Sequence, residues 1–540
     1  MPTRYVIPSP DSKQHATQEP LSSCRSRSSV RGSSSQALLT AAVMAVVVAA
    51  LPAQVMSTHQ FLPAGTKHLP SSVGRASEVA WGDVDGDGDL DLVFAHYAQP
   101  RLYLNNGSGV FTDVTATHLP AGAGSEIALA LGDVDGDGDL DLVFGGDYGN
   151  HRLFLNNGSG VFADATATHL PMVLSASAAC VELGDIDGDG DLDLFIGTYQ
   201  VSSPGTFGWQ DHLYLNNGSG VFTDITSSHL PAAWLQTTSA ALGDIDGDLD
   251  LDLVIGNNYG TVAPLTRLYL NNGSGFYADV TATHLPAVLN NANCVALGDV
   301  DGDDDLDLVV GRYGQNNLCL NDGTGVFTDV TATHLPAVLD LTKSIALADI
   351  DGDGDPDLVV GNRSNPGFQN RLHLNNGSGV FTDVTTTHLP AILNYTTSLA
   401  LGDGDGDGDL DLVVGDEIQS RLYLNLHRQL HTPTLLRIGQ PFPIDAYARN
   451  TPPGSLTLVV PYLSTTRISI PLPPLGTLGI VPEAPLGVAT ISPATGVASF
   501  SWNVPNLPAF IGLDVFAQAL AHSSSGQDRL TNVTTDVLIQ

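Results

Sequence analysis

Nine-residue windows of alternating aspartate recur along this chain, and their chemistry is that of hard oxygen ligands. The first reads Asp83-Val84-Asp85-Gly86-Asp87-Gly88-Asp89-Leu90-Asp91. Carboxylates at positions 1, 3, 5 and 9 can wrap one cation, position 7 can add its backbone carbonyl, and glycine at position 6 permits a tight loop. Asp83, Asp85, Asp87, Asp89 and Asp91 therefore form the first candidate set. The second window supplies Asp133, Asp135, Asp137, Asp139 and Asp141, and the third Asp185, Asp187, Asp189, Asp191 and Asp193. The fourth supplies Asp244, Asp246, Asp248, Asp250 and Asp252, and the fifth Asp299, Asp301, Asp303, Asp305 and Asp307. The sixth supplies Asp349, Asp351, Asp353, Asp355 and Asp357, and the seventh Asp403, Asp405, Asp407, Asp409 and Asp411. Such a set suits Ca²⁺, with up to seven ions in all, because calcium takes about six to eight oxygens. No His or Cys lies in the windows, which disfavours zinc and softer metals. Solvated acidic turns are the alternative, but a spacing kept seven times argues against chance. Without a cation the neighbouring carboxylates repel one another.

These windows are not EF-hands, which need a bidentate Glu at position 12 and flanking helices. Position 12 is Phe94, Phe144, Ile196, Ile255, Val310, Val360 or Val414, always apolar.

The windows also account for the charge. Of 540 residues, 58 are acidic and 20 basic, for a net charge of −38, yet 36 of the acids fall inside the seven windows. A chain of that sign does not bind nucleic acid through phosphate neutralisation. With 42% hydrophobic residues it is not an acidic disordered chain either.

The elements that position the loops follow from the repeat. The windows start at Asp83, Asp133, Asp185, Asp244, Asp299, Asp349 and Asp403, at intervals of 50, 52, 59, 55, 50 and 54. One unit runs Ile127–Asp133, the loop to Asp141, Leu142–Gly145, Arg152–Asn157 and Val161–Thr166. Short runs of Val, Leu, Phe and Tyr between Gly, Asn and Asp read as strands, and Asn156-Asn157-Gly158-Ser159-Gly160 as a hairpin turn. Four strands per unit predict a propeller blade. The seventh unit lacks its fourth strand, while Phe61 and His68-Leu69-Pro70 match Phe111 and His118-Leu119-Pro120 at an offset of 50. The expected fold is therefore all-β, a seven-bladed β-propeller over 57–430 closed by an N-terminal strand. A small β-sandwich-like domain follows over 431–540.

The pattern Asp-x-Asp-x-Asp-Gly-x-x-Asp resembles the FG-GAP/VCBS repeats of integrin α-subunit propellers, over about residues 57–428. The resemblance implies calcium on hairpin loops at one face, and adhesion or ligand recognition. Three positions depart from it. Leu249 and Asp304 replace Gly at position 6, where a branched side chain at positive φ is costly. Pro356 at position 8 removes a backbone donor.

Other recurrent residues have plainer readings. His68, His118, His169, His229, His284, His334 and His388 precede each loop by 15 or 16 residues. They are expected to be structural, since seven blades hold them too far apart to share one ion. Asn-Gly-Ser triplets are turn chemistry rather than glycosylation sites. Cys180 and Cys294 fall in a slot that holds Ala128, Ser239, Ser344 or Ser398 in other repeats, which suits a small buried thiol, and neither they nor Cys319 is given a redox role.

The variable loops between second and third strands carry Tyr97, Tyr148, Tyr199, Tyr259 and Tyr313 at matching places, with Trp209 in a long insertion. They are expected on the face opposite the acidic loops and are candidates for ligand binding, with ordinary loop packing as the alternative.

Residues 1–56 combine Arg25, Arg27 and Arg31, an apolar run from Ala37 to Leu51 and small residues near Ala53. This predicts a signal peptide, hence a secreted or surface protein with no transmembrane span in the mature chain. Residues 432–540 contain 14 prolines and strand-like segments at Ser455–Tyr462, Val497–Val504 and Asp514–Ala519.

The expected function is a calcium-binding propeller that recognises an extracellular protein or glycan. No Gly-x-Ser-x-Gly, His-Glu-x-x-His or phosphate loop occurs, so the chain is not expected to be an enzyme. A propeller lyase or hydrolase acting on polysaccharides is the alternative. Glu182 and the pair Asp416-Glu417 interrupt the repeat without forming a catalytic set.

Overall fold

The computed structural model describes residues 60–425, apart from 66–67, 71–75, 123, 172–176, 200–209, 259–265, 290, 364–367 and 393–394. From 430 onward it describes backbone strands only.

Blade 1 shows how the repeat folds. Its inner strand Ala76–Gly82 leads through the acidic loop to Asp91–His96, then Arg101–Asn105 and the outer strand Phe111–Asp113. Each strand pairs antiparallel with the next. Asp91–His96 is buried at every residue, so its apolar run is continuous rather than alternating. Five further blades keep this order, with inner strands Glu126–Gly132, Ser177–Gly184, Thr237–Gly243, Ala292–Gly298 and Asp340–Ala348.

The seventh blade comprises Thr396–Gly402, Asp411–Asp416 and Arg421–Asn425, and its outer strand is Phe61–Pro63. The register is Phe61↔Asn425, Leu62↔Leu424 and Pro63↔Tyr423. The closing strand foreseen from the 50-residue offset is present. Inner strands neighbour one another in sequence order, the last against the first, so the ring is shut.

Apolar side chains of adjacent sheets interlock between blades. Val93 and Leu102 of blade 1, for instance, share a core with Leu129, Leu142 and Phe154 of blade 2. The seam between blades 7 and 1 is built differently. Trp81 stands where the other blades have Leu131, Leu183, Leu242, Leu297, Leu347 and Leu401, and Gly404 stands where they have Val or Ile. A Cβ on Gly404 would lie 2.7 Å from the Trp81 ring, so the small residue makes room for the large one.

A one-turn helix, Thr115–His118 in the first case, follows the outer strand of blades 1 to 6. The sequence reading did not foresee it. Its terminal His lies where the outer strand hands over to the next blade: the Phe162 N–H donates to the His118 backbone carbonyl at 2.8 Å, and the imidazole Nδ1 lies 2.8 Å from Thr117 Oγ1. Cys180, Cys294 and Cys319 are buried and unbridged, and burial pushes the Cys294 and Cys319 thiols up to about 12.

In the C-terminal region Pro441–Tyr447 pairs with Val497–Asn503, and Thr457–Ser464 with Asp514–Ser523. These strands fall close to the segments read from sequence. The predicted signal peptide, Trp209 and Tyr259 lie outside the described residues. Among the described residues no helix is long and apolar enough to cross a membrane.

Candidate metal loops and an axial cavity

The acidic loops join the inner and second strands of every blade. Asp83 shapes the first: its Oδ1 accepts from the Gly86 N–H at 2.8 Å and its Oδ2 from Gly88 at 3.0 Å. Gly86 and Gly88 have φ of 74° and 91°, which explains glycine at both places. Asp91, wholly buried, accepts from the Val84 N–H at 3.0 Å and the Asn105 N–H at 2.8 Å. Burial pushes its carboxyl up to about 7, against the lowering effect of those two donors. Position 9 is thus a latch within the blade as well as a candidate ligand.

Positions 1, 3 and 9 converge in the first three blades, as Asp83, Asp85 and Asp91, Asp133, Asp135 and Asp141, and Asp185, Asp187 and Asp193. In the next two, positions 1, 3 and 5 converge, as Asp244, Asp246 and Asp248, and Asp299, Asp301 and Asp303. Within each group one oxygen per residue lies within 4.8 Å of the others. Asp135, Asp187, Asp246 and Asp301, all at position 3, each hold a buried Oδ1 with no hydrogen-bond partner. Burial and the position 5 carboxylate raise their pKa values. A buried, orphaned carboxylate oxygen facing other carboxylates is costly unless a cation satisfies it. The residues present therefore fit a metal ion. At position 7, by contrast, the Asp139 side chain lies against the hairpin of its own blade: a Cβ on Gly158 would sit 2.5 Å from its Oδ2. Asp191, Asp250, Asp305 and Asp355 do the same.

Leu249 and Asp304 adopt positive φ, at 74° and 70°, and keep the loop bond, donating to Asp244 and Asp299 at 3.1 and 3.0 Å. Pro356, read as removing a backbone donor, leaves its loop intact. That position contributes its carbonyl, which accepts from Asn375 Nδ2 at 3.1 Å as the Leu90 carbonyl does from Asn105. In blade 7 Asp405, Asp407 and Asp409 are buried, unlike Asp87 or Asp89.

An asparagine ring ties the loops together. Asn156 Nδ2 donates to the Val84 carbonyl, in the loop of the preceding blade, at 2.7 Å. Asn216, Asn271, Asn321, Asn375 and Asn425 repeat this toward Val134, Ile186, Ile245, Val300 and Ile350. Asn105 completes the circle to the Gly404 carbonyl at 2.8 Å. The sequence reading had assigned these asparagines only to turns.

A second site lies on the ring axis. Every inner strand has a register shift that leaves one residue unpaired: Ser77, Ile127, Ala179, Thr238, Asn293, Lys343 or Thr397. A β-bulge re-aims the extra side chain. All seven line one cavity of about 380 Å³. Tyr97, in the loop after the second strand of blade 1, and Tyr199 and Tyr313, at the ends of the second strands of blades 3 and 5 rather than in the loops beyond them, also line it. Three of the predicted tyrosines are thus brought together. Tyr148 is not in that wall; it is 72% exposed and held at φ 55°, an uncommon conformation for a bulky residue.

Most polar wall residues stitch blades together. Ser77 Oγ donates to the Glu126 carbonyl at 2.8 Å, Thr238 Oγ1 to Ala292 at 2.7 Å and Thr397 Oγ1 to Ala76 at 2.8 Å. Asn293 Nδ2 donates to Thr342 at 2.9 Å. Glu78 accepts from the Leu129 N–H at 2.8 Å, much as Ser239 accepts from Val295. Glu417 pairs with Arg363 at 2.7 Å, and Asp416 caps the Tyr395 and Ile418 N–H groups.

The FG-GAP-like repeat profile matches residues 83–144, 133–196, 201–255, 244–310, 299–360 and 353–414. No curated protein sequence matches the chain. Among solved structures, one concerns specific recognition of non-reducing terminal N-acetylglucosamine by an Agrocybe aegerita lectin. It is 19% identical with a TM-score of 0.40, over 57% of this chain and 79% of that one. Another, BBS1N in complex with ARL6DN, is 13% identical with a TM-score of 0.43, over 68% and 97%. The matched repeats span more than half of the sequence and carry the aspartate loops described above, and the chain belongs to the FG-GAP-like repeat family.

Proposed function

We propose that this chain is an exported, calcium-stabilised propeller that binds an extracellular ligand at the mouth of its axial cavity, and that it is not an enzyme. The observation that carries this reading is the convergence of Tyr97, Tyr199 and Tyr313, from three blades, on one cavity. Aromatic loops on a rigid scaffold are where recognition commonly resides. Calcium is favoured by the all-oxygen aspartate groups that converge at positions 1, 3 and 9 or 1, 3 and 5 and by the orphaned oxygens at position 3. Seven Ca²⁺ would bring the formal charge from −38 to −24. The wall acids Glu78 and Glu417 are engaged by Leu129 and Arg363, which supports binding over acid–base catalysis.

Two measurements test this. Melting with EDTA against millimolar Ca²⁺ should show a higher midpoint with calcium, because an ion held only by the folded loops stabilises by linkage. Identical midpoints would remove calcium from the reading. An array of glycans and cell-surface proteins should give ligand that is retained, released unchanged and lost in Tyr97→Ala and Tyr313→Ala. Release of cleaved polysaccharide would favour the lyase or hydrolase instead.

A further inference from the structure

The ring of bulge residues holds one member that does not fit its role. In blades 1, 4, 5 and 7 this position is Ser, Thr or Asn and donates to the next inner strand. In blades 2 and 3 it is Ile127 or Ala179. In blade 6 it is Lys343, which lines the cavity and makes no hydrogen bond or ion pair among the described residues. The other cation of the wall, Arg363, is already paired with Glu417.

A half-buried ammonium that makes no hydrogen bond or ion pair among the described residues, with Glu78 acting on it only from a distance, is poised to take an anion that offsets its desolvation. Burial holds Lys343 below the usual lysine range, while Glu78 acts in the opposite sense. The rest of the wall indicates what else that anion carries. Gln236 has no side-chain bond among the described residues, and the hydroxyls of Ser77, Thr238 and Thr397, already spent as donors, still accept. Tyr97 and Tyr313, 42% and 51% exposed, add ring faces at the mouth. Hydroxyl acceptors, a free amide and aromatic faces suit a polyhydroxylated ring. A cavity of about 380 Å³ has room for one sugar unit or two.

Resting on the reading of the axial mouth as the recognition site, we infer that the cavity binds a singly charged acidic sugar, with its anionic group on Lys343 and its ring against the tyrosines. One ammonium matches one negative charge; a phosphate dianion would leave a second charge unmatched, since the other cation of the wall is paired with Glu417.

The test uses the full chain with saturating Ca²⁺ and calorimetric titration of glucuronate, galacturonate and a sulfated monosaccharide against glucose and galactose. Acidic sugars should bind at least tenfold tighter than neutral ones, and the preference should weaken with salt. Lys343→Thr installs the residue that blades 4 and 7 carry here, so it keeps the fold; it should abolish the preference, and Lys343→Arg should retain it. A free uronate that binds places the site on a single sugar; binding only by an acidic oligosaccharide extends it to a chain end, and both support the inference. Equal affinity for acidic and neutral sugars, no acidic binding at all, or an unchanged preference in Lys343→Thr would overturn it. Array ligand still lost in Tyr97→Ala would then show that the mouth recognises something else, which separates this failure from that of the broader reading.

Discussion

The seam between blades 7 and 1 makes a quantitative prediction, because it exchanges a Leu/Val pair for Trp81 and Gly404. Gly404→Val restores what the other blades have but drives a side chain into the Trp81 ring, only 2.7 Å from the new Cβ. Overpacking of this kind costs about 1–3 kcal/mol. Trp81→Leu alone removes a buried ring that packs on Phe111 with centroids 5.8 Å apart. The void is roughly 60 Å³, and at about 24 cal/mol per Å³ it costs about 1.5 kcal/mol before the lost transfer energy is added. The double variant reproduces the Leu–Val pairing that three of the other six seams carry, the remaining three having Ile for Val, so each change fills the space the other disturbs. Its cost should fall at least about 2 kcal/mol below the sum of the singles, within the range of contacting pairs. Equilibrium guanidinium melts of all four proteins in saturating Ca²⁺ measure this. Simple additivity would refute the idea that the two residues are matched across the seam.

Other expectations follow from single residues. Phe61→Ala should cost about 3–5 kcal/mol and open the amides of residues 422–425 to hydrogen exchange, since its ring anchors the closing strand in the core of blades 6 and 7 and that strand pairs with Arg421–Asn425; protection equal to the intact chain would contradict the closure. Leu249→Gly should gain about 0.5–1 kcal/mol by relieving an exposed side chain at φ 74°, measurable as a higher melting midpoint. Asp211, buried and accepting from the Thr198 N–H and Thr237 Oγ1, is pushed up to about 7 by burial. A carboxyl raised in the fold stabilises below its unfolded value and loses that stability as pH rises through the folded one, by about 1.4 kcal/mol per unit. Asp211→Asn, which copies Asn316 and Asn370 of blades 5 and 6, should therefore gain on the native protein between about pH 4 and 7; parallel stability profiles would count against it.

The blades and their closure were legible because each is written in the chain as a period of strand and turn chemistry. The match of Phe61 to Phe111 pointed directly to the missing strand. The form of the aspartate loops was legible for the same reason, as spacing is what folds them. The axial cavity was not. A β-bulge breaks the alternation from which an inward-facing position is read, so nothing in the sequence marks Lys343, which only the register of Thr342 and Ser344 isolates. The asparagine ring was hidden because Asn105 and its counterparts sit beside glycine turns, which already explained them. The helix Thr115–His118 carries no signal, being one turn long and rich in threonine.

The asparagine ring gives the molecule a periodic boundary. In an open array, end units have one neighbour and fray first, which is why such arrays need caps. Here the carbonyl at position 2 of every loop is held by the following blade, and Asn105 returns the sequence to Gly404. No loop is terminal. If the loops hold ions, as proposed, an ion lost from one loop would loosen a carbonyl that another blade grips, so the disturbance would reach a neighbour and could travel either way around the circle. Seven near-identical loops coupled in this manner should fill and empty as a group, with a titration steeper than that of a single loop.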